Sequence, residues 1–140
     1  MVRLFCIALL LSLAVRDIKT LEVPAAGIAA LLGTVMIWTP AESIILRIPV
    51  CAAILGAYAL TAVFCSALER DMPFGMGDAL LFAVLSLQLD AAELLRLFAV
   101  SALLAGAAAA VLLISRRAGA GSQLPYVPFI AAAYALCAIV

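Results

Sequence analysis

Residues 74–89 read FGMGDALLFAVLSLQL, and in this stretch a single aspartate, Asp78, stands immediately before an uncharged run of only 11 residues, 79–89. A helix needs about 20 residues to cross a bilayer, because the hydrocarbon core is roughly 30 Å thick. To span, a helix through 79–89 must extend into its flanking residues, which would place Asp78 about one turn inside the membrane boundary. A carboxylate at that depth is costly, so the default interpretation is a functional residue.

A second aspartate, Asp17, has the same kind of surroundings. It lies in AVRDIKTLEVP, residues 14–24, and only Arg16 separates it from the uncharged run 4–15, which has 12 residues. These are the two short runs of six. The other four have 19 to 23 residues and cover 23–41, 48–68, 97–115 and 118–140. Asp17 and Asp78 are therefore the first candidates for an intramembrane site.

The composition decides the class of protein. Hydrophobic residues make up 69% of the chain and charged residues 11%, with a mean hydropathy of +1.34. Charged residues make up about a quarter of an ordinary soluble domain. Six apolar segments joined by short connections predict an all-α membrane protein, a polytopic bundle of six transmembrane helices forming a single membrane-embedded domain over residues 1–140. Eight basic and eight acidic residues balance each other, so no nucleic-acid partner is expected.

The distribution of basic residues predicts the topology. Five lie around the first, third and fifth connections and three lie on the opposite side. By the positive-inside rule the first group is cytoplasmic and both termini are external. Asp17 and Asp78 then lie near the cytoplasmic face, where antiparallel neighbouring helices would bring them face to face. The first group is Arg16, Lys19, Arg70, Arg116 and Arg117, and the second is Arg3, Arg47 and Arg96.

The choice of reactive side chains is narrow. The chain has no histidine, and its four cysteines, Cys6, Cys51, Cys65 and Cys137, form no C-x-x-C pair. We therefore expect neither a zinc site nor a histidine-activated nucleophile, and no cofactor. Carboxylates remain as the acid–base groups. Two carboxylates held close together do not both ionise easily, so one stays protonated while the other activates water.

Each aspartate also has a structural interpretation. Asp78 is a suitable N-cap for a helix, with Gly75 and Gly77 shaping the turn before it. Asp17 opposes the macrodipole near a helix C-terminus, and pairing with Arg16 or Lys19 would offset that cost. Four other acids are most simply interpreted as solvated loop charges, namely Glu69, Asp71, Asp90 and Glu93.

Three elements of the chain, taken in order, resemble the type IV prepilin peptidases, which are membrane-embedded aspartic proteases. The first is Asp17 followed by Val23-Pro24, the second is the G-x-G-D element at 75–78, and the third is LPYVPF at 124–129. The resemblance covers essentially the whole chain, and the G-x-G-D element at the fourth helix is its most specific part.

The resemblance implies that Asp17 and Asp78 are the catalytic pair and that the protein lies in the cytoplasmic membrane. It also implies that the substrates are precursors of pilins or pseudopilins, each with a short basic leader, a glycine before the scissile bond and an apolar helix. The lipid bilayer is the other expected partner. The supporting motif residues are Gly75, Gly77, Pro24 and Pro125.

The chain departs from the family pattern at three points. Leu80 stands where the family commonly has lysine, two places after the second aspartate, and Ala25 stands where asparagine often follows the proline. Longer members have an N-terminal cytoplasmic domain with cysteine pairs that accompanies methylation, so this chain resembles the short, peptidase-only form. Two other functions fit the same aspartates: a small proton- or cation-coupled membrane transporter, and a non-catalytic peptidase-like assembly protein.

Overall fold

A computed structural model describes residues 2–70, 75–115 and 124–139. All regular secondary structure within these ranges is α-helix, which confirms the predicted all-α class. Asp71, Arg116 and Arg117, which figured in the sequence analysis, lie outside the described residues. The helices are α1 (Val2–Thr20), α2 (Ala25–Trp38), α3 (Ala41–Ala67), α4 (Met76–Ser86), α5 (Ala91–Ile114) and α6 (Val127–Ile139).

The two helices that follow from the short apolar runs do extend into their flanking residues. Helix α1 continues for 19 residues through Arg16, Asp17 and Lys19. Helix α4 begins two residues before Asp78 but has only 11 residues. At 1.5 Å per residue its length is about 16 Å, roughly half the thickness of a hydrocarbon core. The predicted extension is therefore complete for α1 and occurs only at the N-terminal end of α4.

Two of the described helices, α3 with 27 residues and α5 with 24, are long and apolar enough to cross a membrane. Both begin upstream of their uncharged runs, so that Arg47 and Arg96 belong to helices rather than to connections. Helices α2, α4 and α6 are apolar but shorter. The structure thus shows a helical protein in which two of the described helices have the length and composition to cross a membrane, and the organisation into six spans stays a prediction.

The described helices pack as a closed ring with one helix outside it. Around the ring the order is α1, α2, α4, α5 and α6, and α6 returns to α1. Helix α3, which is described along its whole length, packs against α4 from outside, and Ile44 is its one buried residue. Apolar side chains fill the space between the helices. Helices α1, α2 and α5 each turn one stripe inward at helical spacing, whereas α4 is buried on nearly all of its sides. Large buried side chains among these include Leu10, Leu31, Val35, Leu81, Leu85, Leu97, Ile130 and Tyr134.

Polar contacts join the helices at the end of the ring where α4 stops and α5 begins. The Arg47 guanidinium donates to the backbone carbonyls of Leu87 and Gln88, beside the C-terminus of α4. Asp90 and Glu93 form a capping box at the start of α5, with Glu93 N–H donating to Asp90 Oδ1 at 2.7 Å. Glu93 also pairs with Arg3. The interpretation of Asp90 and Glu93 as plain loop charges was therefore wrong.

Candidate active site

Asp17 lies near the C-terminal end of α1, with only 5% of its surface exposed. Its carboxylate does not pair with Arg16 or Lys19, both of which are exposed. Instead it accepts a hydrogen bond from the backbone N–H of Val127 at 3.0 Å and another from the N–H of Tyr126. The Asp17 side chain is thus fixed to the N-terminus of α6.

The local structure of α6 explains why its N-terminus offers these two donors. The Tyr126 carbonyl accepts the first helical bonds, from Phe129 N–H at 3.0 Å and Ile130 N–H at 3.2 Å, so Tyr126 directly precedes the first turn. Pro128 has no N–H. The N–H groups that precede the helical bonds of α6 are therefore those of Tyr126 and Val127, and both donate to Asp17. A carboxylate is favoured at this positive end of a helix, which offsets its unfavourable place on α1.

Asp78 lies in the first turn of α4 and is half-buried. The residue at the N-cap position is Gly75, and no side chain of the described residues caps this helix end. The interpretation of Asp78 as an N-cap was therefore wrong. Its carboxylate bends back toward Gly75. A Cβ added at Gly75 would lie 3.1 Å from Asp78 Oδ2. Gly75 leaves open the space that this carboxylate uses.

The structure brings Asp17 and Asp78 together at one end of the ring, close enough for the charge of Asp17 to act on the Asp78 carboxylate. The predicted arrangement of the two helices was wrong, however. Among the described residues α1 packs against α2 and α6, whereas α4 packs against α2, α3 and α5. The two carboxylates therefore approach each other across the ring, and not along a shared helix interface.

The Val23-Pro24 element connects the end of α1 to the start of α2 and contacts the G-x-G-D element. Helix α1 is followed by Leu21, which has a positive φ of 54° and whose N–H donates to the Asp17 carbonyl at 2.8 Å. The chain then turns, and Val23 meets Gly77 so closely that a Cβ on Gly77 would lie 2.7 Å from Val23 Cγ2. Pro24 is the N-cap of α2. Gly77 and Val23 thus join the G-x-G-D element to the segment that follows Asp17.

Two other residues from the motifs lie beside this arrangement. Pro125 directly precedes Tyr126, and it biases the residue before it, Leu124, toward an extended conformation. Leu80, where the family commonly has lysine, is half-buried on α4. It lies about 200° around the helix from Asp78, so the two residues do not share a face.

Sequence reasoning missed the residues that fix Tyr126. The Tyr126 hydroxyl lies 3.1 Å from Ser101 Oγ, and Ser101, on α5, is fully buried. The Tyr126 ring also packs against Phe82 on α4, with ring centres 6.4 Å apart. The available signal was a serine in the middle of the apolar run 97–115, since a hydroxyl inside such a run requires a hydrogen-bond partner.

A sequence profile of the type IV leader peptidase family matches residues 4–114. This is most of the chain, and it contains Asp17 and Asp78 in their order. The chain belongs to the type IV leader peptidase family. No curated protein and no solved structure matches the chain.

Membership in the leader peptidase family makes this chain a leader-peptidase-like protease and confirms the resemblance found in the sequence. The family is typically membrane-associated, in agreement with the two long apolar helices α3 and α5. The matched region includes Pro24, Gly75 and Gly77. It ends before the 124–129 element, whose Tyr126 and Val127 hold Asp17 in this structure.

Proposed function

We propose that this chain is an intramembrane aspartic endopeptidase that removes the leader peptide from type IV prepilins or pseudopilins. In this proposal it is a multi-pass protein of the cytoplasmic (inner) membrane with six membrane-crossing segments, and it cuts at the cytoplasmic face. The observation that supports the proposal most directly is the approach of the Asp17 and Asp78 carboxylates at one end of the helix ring.

The surroundings of the two carboxylates suggest different roles. Asp17 accepts two backbone N–H bonds at the positive end of α6, and such bonds stabilise a carboxylate. Asp78 is more exposed and lies beside that negative charge. We therefore assign Asp17 as the general base, which takes a proton from the attacking water, and Asp78 as the general acid. Asp78 protonates the oxyanion or the leaving amine as the peptide bond breaks.

The substrate features fit the same end of the ring. A leader that carries basic residues stays on the cytoplasmic side of the membrane, and the helix after the scissile bond is apolar. The bond to be cut then lies at the membrane boundary, where the proposed topology puts both aspartates. This reaction uses water and two carboxylates, so it requires no covalent intermediate.

The experiment that tests the proposal is cleavage of a purified prepilin by the purified chain in lipid, read as a mobility shift. Asp17→Asn and Asp78→Asn should each abolish cleavage, because asparagine keeps the shape of aspartate but does not transfer a proton. Glu22→Gln, which changes an exposed carboxylate five residues after Asp17, should retain wild-type cleavage. Substantial turnover by either asparagine variant would rule out the two-aspartate mechanism.

A further inference from the structure

The separation of the two aspartates depends on what lies between their helices. Among the described residues, α1 and α4 have no extensive contact with each other. Each is held instead by its own neighbours in the ring. A residue that touches both helices is therefore in a position to set the distance between the carboxylates.

Tyr126 touches both of them. Its backbone N–H donates to the Asp17 carboxylate of α1. Its ring packs against Phe82 of α4 at a centre-to-centre distance of 6.4 Å and an interplanar angle of 47°. Phe82 follows Asp78 by four residues, about one helical turn, and so lies on the same face of α4. One residue thus contacts the first aspartate directly and the helix face of the second through an aromatic pair.

Helix α5 fixes Tyr126 from a third direction. Ser101 Oγ donates its one proton to the Phe98 carbonyl at 3.0 Å. The Tyr126 hydroxyl, 3.1 Å from Ser101 Oγ, is therefore the donor of the bond between them. Phe98 also packs against Phe82, with ring centres 5.6 Å apart. Because Ser101 is fully buried, water does not compete for this bond.

We propose that Tyr126, held by its hydrogen bond to Ser101, is a positioning residue that sets the geometry of the Asp17 and Asp78 carboxylates. The proposal rests on the function proposed above. Tyr126 acts through the two aspartates and does no chemistry itself. Its contacts fix the start of α6, which orients Asp17, against the face of α4 that presents Asp78.

Loss of the hydrogen bond between Tyr126 and Ser101 should change kcat for prepilin cleavage more than KM. Tyr126→Phe keeps the ring and removes the hydroxyl, and Ser101→Ala removes its acceptor. Either change frees the ring from α5 while leaving the rest of the site in place. A misplacement of reacting groups by about 1 Å can cost roughly 100-fold in rate. We therefore expect kcat to fall by about 10- to 100-fold with KM unchanged.

The test measures kcat and KM for prepilin cleavage by the full chain in lipid, at a temperature well below each variant's Tm. It compares wild type, Tyr126→Phe, Ser101→Ala and the double variant. The double variant should be no worse than the poorer single variant, because both changes remove the same bond. The matched control is Ser115→Ala, at the C-terminal end of α5, since the exposed Ser115 hydroxyl bonds to the Leu112 carbonyl of the same helix. This control should cleave like the wild type.

The possible results separate the two proposals. A wild-type chain that leaves prepilin uncut overturns the proposed function and this inference with it. Cleavage by the wild type together with unchanged kcat in Tyr126→Phe and Ser101→Ala overturns this inference alone. A loss of activity that disappears when kcat is expressed per folded molecule also overturns it, because the bond would then serve only stability. The inference is also overturned if the fold-loss of kcat in the double variant equals the product of the losses in the two single variants, because the two side chains would then act independently.

Discussion

Gly77 and Val23 are in direct contact, which places the segment that follows Asp17 against the G-x-G-D element. A Cβ on Gly77 would lie 2.7 Å from Val23 Cγ2 and 2.8 Å from Val23 Cβ. The Val23 side chain is branched at Cβ, so its χ1 rotamer is restricted and it does not easily move aside. The contact therefore requires glycine at position 77 and fixes the start of α4 beside the segment that follows Asp17.

Gly77→Ala should lower both stability and cleavage. The new methyl group has to push α4 away from Val23, and overpacking of this kind typically costs about 1–3 kcal/mol. Because Asp78 is the next residue, the shift also moves its carboxylate, and we expect at least a roughly tenfold loss of prepilin cleavage. The control is Gly106→Ala on α5, where an added Cβ meets none of the described residues within 4 Å. Equal activity of Gly77→Ala and the wild type would show that this contact does not position Asp78.

Asp17 and Asp78 should differ in their effect on stability, although the proposed mechanism requires both for cleavage. Asp17→Ala leaves the N–H groups of Tyr126 and Val127 without their acceptor in a buried place, at a cost of about 1–3 kcal/mol. Asp78→Ala removes a half-buried carboxylate that does not cap α4 and should leave Tm near or above that of the wild type. Thermal unfolding of the two purified variants checks this. A larger loss of Tm in Asp78→Ala would contradict the assignment of Asp17 to the α6 N-terminus.

The sequence was sufficient to predict the helical class and to single out Asp17 and Asp78 as candidate residues. Both follow from local features, namely the lengths of the apolar runs and the cost of a carboxylate beside them. The sequence does not predict the hydrogen-bond partner of the Asp17 carboxylate, because Val127 lies 110 residues away in the chain. No local pattern indicates that the N-terminus of α6 rather than Arg16 or Lys19 offsets the charge of Asp17.

Two other errors have different physical causes. The packing of α1 and α4 on different neighbours is a property of the whole ring, which run lengths do not specify. The capping box at Asp90 was visible, since D-A-A-E at 90–93 has the spacing of an N-cap followed three residues later by glutamate. The apolar run, which begins only at residue 97, does not indicate this start, because the helix begins six residues earlier at Ala91.

The topology is testable with reporter fusions. Fusions after residues 20, 71 and 118 should behave as cytoplasmic, and fusions after residues 41, 91 and 140 as external, because the basic residues favour the first side by five to three. Asp17 and the start of α6 meet at the end that this topology makes cytoplasmic. The reverse pattern would put both aspartates outside and would exclude cleavage of leaders presented from the cytoplasm.

Cleavage should be independent of metal ions and of thiols. The proposed mechanism uses only carboxylates and water, so a strong chelator should leave the rate of prepilin cleavage unchanged. Replacement of all four cysteines by alanine or serine should also be tolerated, although Cys6 is buried and its loss is expected to lower Tm slightly. Activity that is lost on chelation and restored by added metal would show that the mechanism is wrong.

Asp90 and Asp78 both lie near helix N-termini. Substitutions at the two positions therefore distinguish a residue that caps a helix from one that takes part in cleavage. Asp90→Ala should cost about 1 kcal/mol in stability, because its side chain accepts the Glu93 N–H bond, while Asp90→Asn should be nearly neutral. Neither change should affect cleavage per folded molecule, since Asp90 lies at the opposite end of α4 from Asp78.

Asp78→Asn, the other half of this comparison, should behave in the opposite way. It should leave Tm nearly unchanged, since Asp78 does not cap α4, and it should abolish cleavage, since asparagine does not transfer a proton. Asp71→Asn, seven residues earlier in the chain and outside the G-x-G-D element, is the control and should keep most of the activity. Each variant is first quantified in the membrane, because removal of a charge near the bilayer also changes insertion. An Asp78→Asn protein that accumulates normally and still cleaves prepilin would leave Asp78 without a catalytic role.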